Sequence, residues 1–218
     1  MHTFSGHKKG VVCAKFFPQY GHFILSGSFD TTVKLWDVYK NKSCVQTYMG
    51  HKEVIKDISL TNDGLHFLSA SYDSKIIYWD TETGKAVQTF DVKKHPYCVK
   101  FHPDEDRQHS FLCGSNHKKV TQYDVRSGTK TQTYDEHLGP VNSVVFVDNN
   151  KKFVSTSDDK KVFLWEFGIP VVVKHVSDPE QLAISQTALH PNGKYFVGQA
   201  SDNKVFLFLG LKFLDQLL

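Results

Sequence analysis

A chain of 218 residues, 40% hydrophobic and 22% charged, carries enough apolar side chains to fill one or two ordinary domain cores. Its net charge of +3 is too small to imply nucleic-acid binding on its own. No apolar run approaches the ~18 residues a spanning helix needs, and the opening MHTFSGHKKG has no apolar stretch of a secretory signal.

Taken in order, the chain opens on HTF before Gly6-His7, a phrase repeated as QTY before Gly50-His51, as QTF at Gln88–Phe90 and as QTY at Gln132–Tyr134. The start therefore reads as the outer strand of a preceding sheet. An inner strand is expected at Val11–Phe17, a loop at Pro18–His22 and a hairpin at Phe23–Asp37. The second repeat places its inner strand at Val54–Leu60, with Asn62-Asp63-Gly64 as a tight turn that demands positive φ. The third starts irregularly at Lys93-Lys94-His95-Pro96 and has a long polar loop, His102–His109. The fourth has His137, a strand at Val141–Val147, a turn at Asp148–Asn150 and a rigid exit at Gly168-Ile169-Pro170. Phe167, Ile169 and Pro170 there are read as packing between the fourth and fifth repeats. The fifth is marked by Pro191-Asn192-Gly193 and a strand at Lys204–Leu209; after Gly210 the pattern is lost.

Laid in register, the hairpins put an aromatic residue at Trp36, Trp79, Tyr123, Trp165 and Phe208, in steps of 43, 44, 42 and 43 residues. Six residues before each stand Asp30, Asp73, His117, Asp159 and Asp202. A period of that length with about four strands per copy specifies an all-β β-propeller array. Five repeats are expected over residues 1–210, with 211–218 as a non-repeat tail. Twenty strands result if the N-terminal one completes the fifth sheet; most arrays of this period have seven blades, so a truncated seven-bladed propeller is expected.

His7, His51 and His137 each precede a turn aspartate by 22 or 23 residues, and a serine stands two residues before each aspartate (Ser28, Ser71, Ser157). Ser, His and Asp together suggest a hydrolase triad. A catalytic set occurs once, however, whereas this one recurs three times at one period and lacks a GxSxG context. It is read as a hydrogen-bond chain within each sheet: His7, Ser28 (or its neighbour Ser26), Asp30 and Trp36; His51, Ser71, Asp73 and Trp79; His137, Ser157, Asp159 and Trp165. The third and fifth repeats, with His117, Tyr123 and Phe208 at the key positions, should lack the full chain. No catalytic, cofactor-binding or metal residues are identified: twelve histidines offer no HExxH and no Cys/His cluster, and no phosphate-cradling glycine motif is present. Asp104-Glu105-Asp106 is read as a solvated turn. Cys13, Cys44, Cys98 and Cys113 lack CxxC spacing and read as small buried strand residues of an intracellular protein.

Gly-His starts (Gly6-His7, Gly50-His51) and Trp-Asp finishes (Trp36-Asp37, Trp79-Asp80) identify WD40 repeats. The segments LSGSFDTTVKLWDVY, PYCVKFHPDEDRQ, HLGPVNSVVFVDNN and WEFGIPV further resemble the WD40 domain of a spliceosomal family that acts in the second step of splicing. That resemblance implies a nuclear, non-enzymatic scaffold around exon ligation, with spliceosomal proteins as partners, snRNA or pre-mRNA backbone as a further contact, and no membrane or small-molecule substrate. The alternative is a substrate receptor of a cullin-type ubiquitin ligase, since Tyr123-Asp124-Val125-Arg126 resembles the WDxR box. A G-protein β-like subunit would need an N-terminal coiled coil, which is absent here.

The doublets Lys8-Lys9, Lys93-Lys94, Lys118-Lys119 and Lys160-Lys161 fall in loops expected on one rim, and Lys151-Lys152 on the other. They form a candidate basic face for RNA phosphate or an acidic protein segment. Aromatic groups are sparse among them in the sequence, so base-specific reading is not expected.

Overall fold

A computed structural model describes residues 2–40, 42–177, 183–193 and 195–209. The expected tail at 211–218, with Gly210, lies outside the described residues. Among the described residues the chain is all-β apart from one 3-10 turn, Glu105–Arg107. Each repeat gives an antiparallel sheet, four-stranded in repeats one to four and three-stranded in the fifth.

The chain divides into two compact units. The first runs to Phe101 and includes Val125–Gly128. It holds the sheet β1 (Val11–Phe16), β2 (Phe23–Ser28), β3 (Val33–Asp37), β4 (Cys44–Tyr48). It also holds the sheet β5 (Ile55–Leu60), β6 (His66–Ser71), β7 (Lys75–Asp80), β8 (Ala86–Asp91), and the inner strand β9 (Pro96–Phe101). The second unit holds β10 (Ser110–Ser115), β11 (Val120–Asp124) and β12 (Lys130–Tyr134). There too lie the sheet β13 (Val141–Val147), β14 (Lys152–Ser157), β15 (Val162–Glu166), β16 (Ile169–Val176), and the sheet β17 (Ile184–Leu189), β18 (Tyr195–Ala200), β19 (Val205–Leu209).

Why these residues form sheets follows from alternation. In β3, Val33 and Leu35 point to one face and pack with Leu25 of β2 against Ile55 and Ile58 of the next sheet, in one core that also contains Tyr48, Phe67 and Trp79. The second unit repeats the packing: Val154, Val162 and Leu164 share a core with Ile184, Phe196 and Phe208. Polar bonds stitch the same inner strands. Asp57 and Ser59 accept the backbone N–H groups of Val99 and Phe101 at 3.0 Å, and the Ser143 and Thr187 hydroxyls meet at 2.6 Å.

Each central hairpin turns through a residue in the left-handed region directly after the turn position: Thr31, Ser74, Lys118, Lys160 and Asn203, with φ between 63° and 71°. None is glycine, and Thr31 is β-branched, for which this region is strained. Thr31→Gly is therefore expected to raise stability by about 0.5–1 kcal/mol, relief of strain exceeding the added freedom of the unfolded chain. A melting temperature equal to or below the parent's would contradict this.

Three expectations are corrected. Residues 2–10 form no strand; an outer strand needs a neighbour to ladder with, and Phe4 instead lies against Trp36 at 5.7 Å. Phe167 packs on His102 (4.5 Å) and Phe146 (5.8 Å) of the third and fourth repeats, and Ile169 and Pro170 are exposed. Cys98 and Cys113 are buried, but Cys44 is exposed, because the outer strand β4 shows its first half to solvent. Burial pushes the Cys13 thiol up to about 12, with Asp57 adding to the effect.

Candidate functional site

The polar set assembles three times with the same connectivity. In the first sheet, His7 Nδ1 meets Asp30 Oδ2 at 2.8 Å, and His7 Nε2 meets Ser26 Oγ at 2.7 Å. Trp36 Nε1 donates to that same oxygen at 2.7 Å. His51, Asp73, Ser69 and Trp79 reproduce these bonds at 2.9, 2.7 and 2.8 Å. His137, Asp159, Ser155 and Trp165 do so at 2.9, 2.7 and 2.8 Å.

The bonding order assigns the protons. A carboxylate accepts only, so Nδ1 carries a proton. With the second ring nitrogen unprotonated, the serine hydroxyl donates to Nε2 and its lone pair takes the indole N–H, which uses every polar side-chain atom of the His–Ser–Trp set.

The aspartates do more. Asp73 also accepts the N–H of Lys52 and of Lys75, both at 3.0 Å, tying the incoming loop to the hairpin turn. Asp159 holds Leu138 and Lys161 in the same way, each at 2.9 Å. Burial alone would push these carboxyls up, but hydrogen bonds outweigh it: for Asp30 first from the Thr32 hydroxyl, then from the Lys8 N–H and His7, and for Asp73 and Asp159 from the histidine and the backbone. Asp30, Asp73 and Asp159 all lie below the usual carboxylate range.

The serine assignment is a correction. Ser28, Ser71 and Ser157 do not touch the histidines. Ser28 Oγ donates to the Gly10 carbonyl at 2.9 Å and accepts the Asp30 N–H at 3.0 Å; Ser71 does likewise with Glu53 and Asp73, and Ser157 accepts from Asp159. In the first sheet it is the alternative, Ser26, that carries the chain, and Ser69 and Ser155 do so in the others, one pleat deeper. Although Ser, His and Asp here have the connectivity of a nucleophilic triad, Ser26 is 4% exposed and Ser69 and Ser155 are fully buried. Each Oγ also carries an indole N–H, so no acyl carbon can approach it.

The third and fifth repeats differ. His117 is exposed and contributes only its N–H, to Ser115 Oγ at 3.3 Å, and Tyr123 stacks on Phe111. In the fifth, Phe208 stacks on Phe196, and Asp202 pairs with Lys204 at 3.2 Å, its Oδ1 finding no hydrogen-bond partner among the described residues.

Sequence reasoning assigns no role to the tyrosines that end the two QTY phrases, yet both have a clear one. Tyr48 ends β4 and inserts between Phe67 (4.8 Å) and Trp79 (5.7 Å) of the next sheet, its hydroxyl donating to the Thr81 carbonyl at 2.8 Å. Tyr134 ends β12 and does the same with Phe153 and Trp165, and its hydroxyl bonds Gly168 N and Gln122 Oε1. The aromatic ending of each phrase, placed a fixed step before a Gly-His or its equivalent, is the signal that could have found them.

Four of the five lysine doublets lie at the hairpin end of the sheets, two in each unit. Lys8, Lys9, Lys93 and Lys94 are exposed in the first unit. In the second, Lys118 and Lys160 are exposed, while Lys119 and Lys161 are half-buried, and Lys119 pairs with Asp135. Lys152 at the other end pairs with Asp148 at 3.0 Å. Aromatic groups are not sparse in the first unit. A β-bulge between Ile55 and Asp57 re-aims Lys56, whose ammonium lies 5.9 and 5.8 Å from the ring centres of Tyr72 and Tyr97. His95 packs beside them, its Nδ1 2.6 Å from the Tyr72 carbonyl. Asp104 is tied to Asn150 at 2.7 Å, so the acidic loop is partly engaged in structure. Among the described residues no group of three or more His, Cys, Asp or Glu side chains could hold a metal ion.

Repeated sheets with this His–Ser–Trp–Asp stitching define a class. Residues 1–37, 42–80 and 128–166, just over half of the chain, match the family described as WD40: WD domain, G-beta repeat. The chain belongs to the WD40 repeat family, whose repeats build β-propellers. The matched segments are the repeats with complete polar sets. Among individual proteins, the chain is 47% identical over 208 residues to Pre-mRNA-processing factor 17 of Mus musculus and of Homo sapiens, which covers 95% of this chain and 36% of each of theirs. It is 36% identical over 209 residues to Pre-mRNA-processing factor 17 of Saccharomyces cerevisiae, covering 94% of this chain and 46% of that one. Pre-mRNA-processing factor 19 of Bos taurus is 29% identical over 147 residues, 66% of this chain and 28% of that protein. The chain thus spans between a third and a half of the length of the factor 17 relatives.

Proposed function

We propose that this chain is a non-catalytic scaffold of the nuclear pre-mRNA splicing machinery, acting around exon ligation through contacts with spliceosomal proteins. The observation that carries this reading is 47% identity to Pre-mRNA-processing factor 17 across 95% of the chain, through all five repeats. The buried polar sets support it from the physical side, because they fix the sheets and leave the loops at the sheet ends as the surfaces available to partners. Depleting the protein from a splicing extract of its own organism tests it. Cleaved first exon and lariat intermediate should accumulate and ligated exons should fall. Unchanged exon ligation would overturn the proposal.

The basic hairpin ends belong to the same reading as the surfaces that meet RNA phosphate or an acidic protein segment. In the first unit, which carries the exposed Lys8, Lys9, Lys93 and Lys94, Lys93-Lys94 directly precede His95 of the Tyr72–His95–Tyr97 aromatics and Lys56 lies over two of these rings, so cations and stacking faces occur in one unit. Changing the four lysines to glutamate should weaken binding to single-stranded RNA. It should also flatten the slope of log K against log salt by up to about 3, or about 0.7 for each phosphate no longer neutralised. An unchanged slope in a filter-binding titration would exclude a phosphate contact at these residues, and binding of a polyglutamate peptide alone would assign them to an acidic protein.

A further inference from the structure

The third repeat lacks the histidine–aspartate set, and its incoming loop is held differently. The Val92 N–H donates to the Ser74 carbonyl at 3.0 Å, and the Lys93 N–H is capped by Asp91 Oδ1 at 2.9 Å. His95 Nδ1 donates to the Tyr72 carbonyl at 2.6 Å; a carbonyl accepts only, so this nitrogen carries a proton. The Ser74 hydroxyl stands 3.5 Å from the same nitrogen. These bonds fasten residues 91–95 onto the hairpin turn of the second sheet, inside the first unit. The His95 ring is left exposed, 5.5 Å from the Tyr72 ring.

Lys56 joins the group from β5. Its ammonium lies 5.9 and 5.8 Å from the ring centres of Tyr72 and Tyr97, which are themselves 6.0 Å apart. Two π-faces steady that charge, and Lys56 makes no ion pair among the described residues. Asp73, in the same turn, is spent on His51 and on the Lys52 and Lys75 amides. A half-buried lysine without a counter-ion presents its charge to an incoming anion. Lys56 and the His95 ring stand beside one tyrosine, at 5.9 and 5.5 Å from the Tyr72 centre. One nucleotide bridges that separation, with its base on the ring and its phosphate on the ammonium.

We infer that Lys56, Tyr72, His95 and Tyr97 form a subsite for one unpaired RNA nucleotide, whose base stacks on the exposed His95 ring while its phosphate meets the Lys56 ammonium. Such a subsite deepens the reading proposed above and rests on it, since a splicing scaffold works among single strands of RNA. An acidic peptide needs cations alone and gains nothing from an aromatic wall, whereas a nucleotide uses both. Stacking is tolerant of sequence, because every base has a π-face. A ring already fixed by its own hydrogen bond costs little further ordering when the base arrives.

The test measures the affinity of the chain for oligouridine and for an abasic ribose-phosphate strand of equal length and charge. Loss of the bases should weaken binding by about 5- to 100-fold, the worth of one base–aromatic stack. His95→Asn keeps a donor for the Tyr72 carbonyl but removes the ring. It should bring the two affinities together and leave the slope of log K against log salt unchanged. Lys56→Met, which keeps the apolar stem, should flatten that slope by about 0.7 and preserve the preference for bases. If either variant melts early, His95→Gln and Lys56→Gln replace them. Equal parental affinity for the two strands, or a preference that His95→Asn leaves intact, would overturn the subsite and leave the four-lysine phosphate contact standing. A parent that binds neither strand, or binds polyglutamate alone, would overturn both, while the depletion assay judges the scaffold reading independently.

Discussion

Asp73→Ala is expected to lower the unfolding free energy by about 3 kcal/mol, the largest loss of any single polar truncation in the second sheet. The carboxylate accepts from His51 Nδ1 and from the N–H groups of Lys52 and Lys75. Its removal strands the shielded imidazole and the part-buried Lys75 amide, each at a cost of about 1–3 kcal/mol, while the exposed Lys52 amide turns to water. The pH dependence has a fixed sign. Asp30, Asp73 and Asp159 are held below their unfolded value by hydrogen bonds that outweigh burial. Their contribution is therefore complete above the unfolded carboxylate pKa of about 3.9 and is lost as pH falls below it through the folded values. Urea unfolding at a series of pH values should show parental stability falling below about pH 4, with a shallower fall for Asp73→Asn, which has no charge to lose. A variant within about 0.5 kcal/mol of the parent, or one with the parental acid slope, would show that the set does not stabilise the sheet.

Much of this fold is legible in the sequence because one device is written five times. The spacing from turn aspartate to tryptophan fixes the hairpin register, and the Gly-His phrase fixes where the next inner strand begins. What could not be read depends on depth and on neighbours. Ser26 and Ser28 lie on the same face of β2, so alternation cannot choose between them. The choice is made by reach: Ser28 sits at the hairpin end beside the Gly10 carbonyl, while Ser26 is deep enough to meet both the imidazole and the indole. Lys56 was hidden for a related reason. Strict alternation would send it one way, and the bulge after Ile55 turns it toward Tyr72 and Tyr97. The N-terminal phrase misled because an outer strand is defined by a partner that periodicity within the segment does not supply. Phe4 still takes the position on Trp36 that Tyr48 takes on Trp79.

Tyr134→Ala is expected to cost about 4 kcal/mol, in the range for deleting a fully buried aromatic side chain. The ring is completely shielded and packs edge-on to Phe153 and Trp165 at 4.8 and 5.3 Å. The hydroxyl has a separable share. It accepts the Gly168 N–H at 2.8 Å and donates to Gln122 Oε1 at 3.0 Å, so Tyr134→Phe keeps the packing and leaves two groups without their partner, for about 1–3 kcal/mol. Tyr48→Phe, which loses one bond to the Thr81 carbonyl, should cost less. The consequence reaches function through geometry, because Tyr134 pins the end of β12 to the exit of β15 at Gly168 and so sets the spacing of two sheets whose hairpin ends carry Lys118 and Lys160. In thermal melts and amide exchange, Tyr134→Phe should therefore loosen the Gly168 turn before the β13–β14 ladder. Equal stability of the Phe and parent proteins would reduce the latch to packing alone.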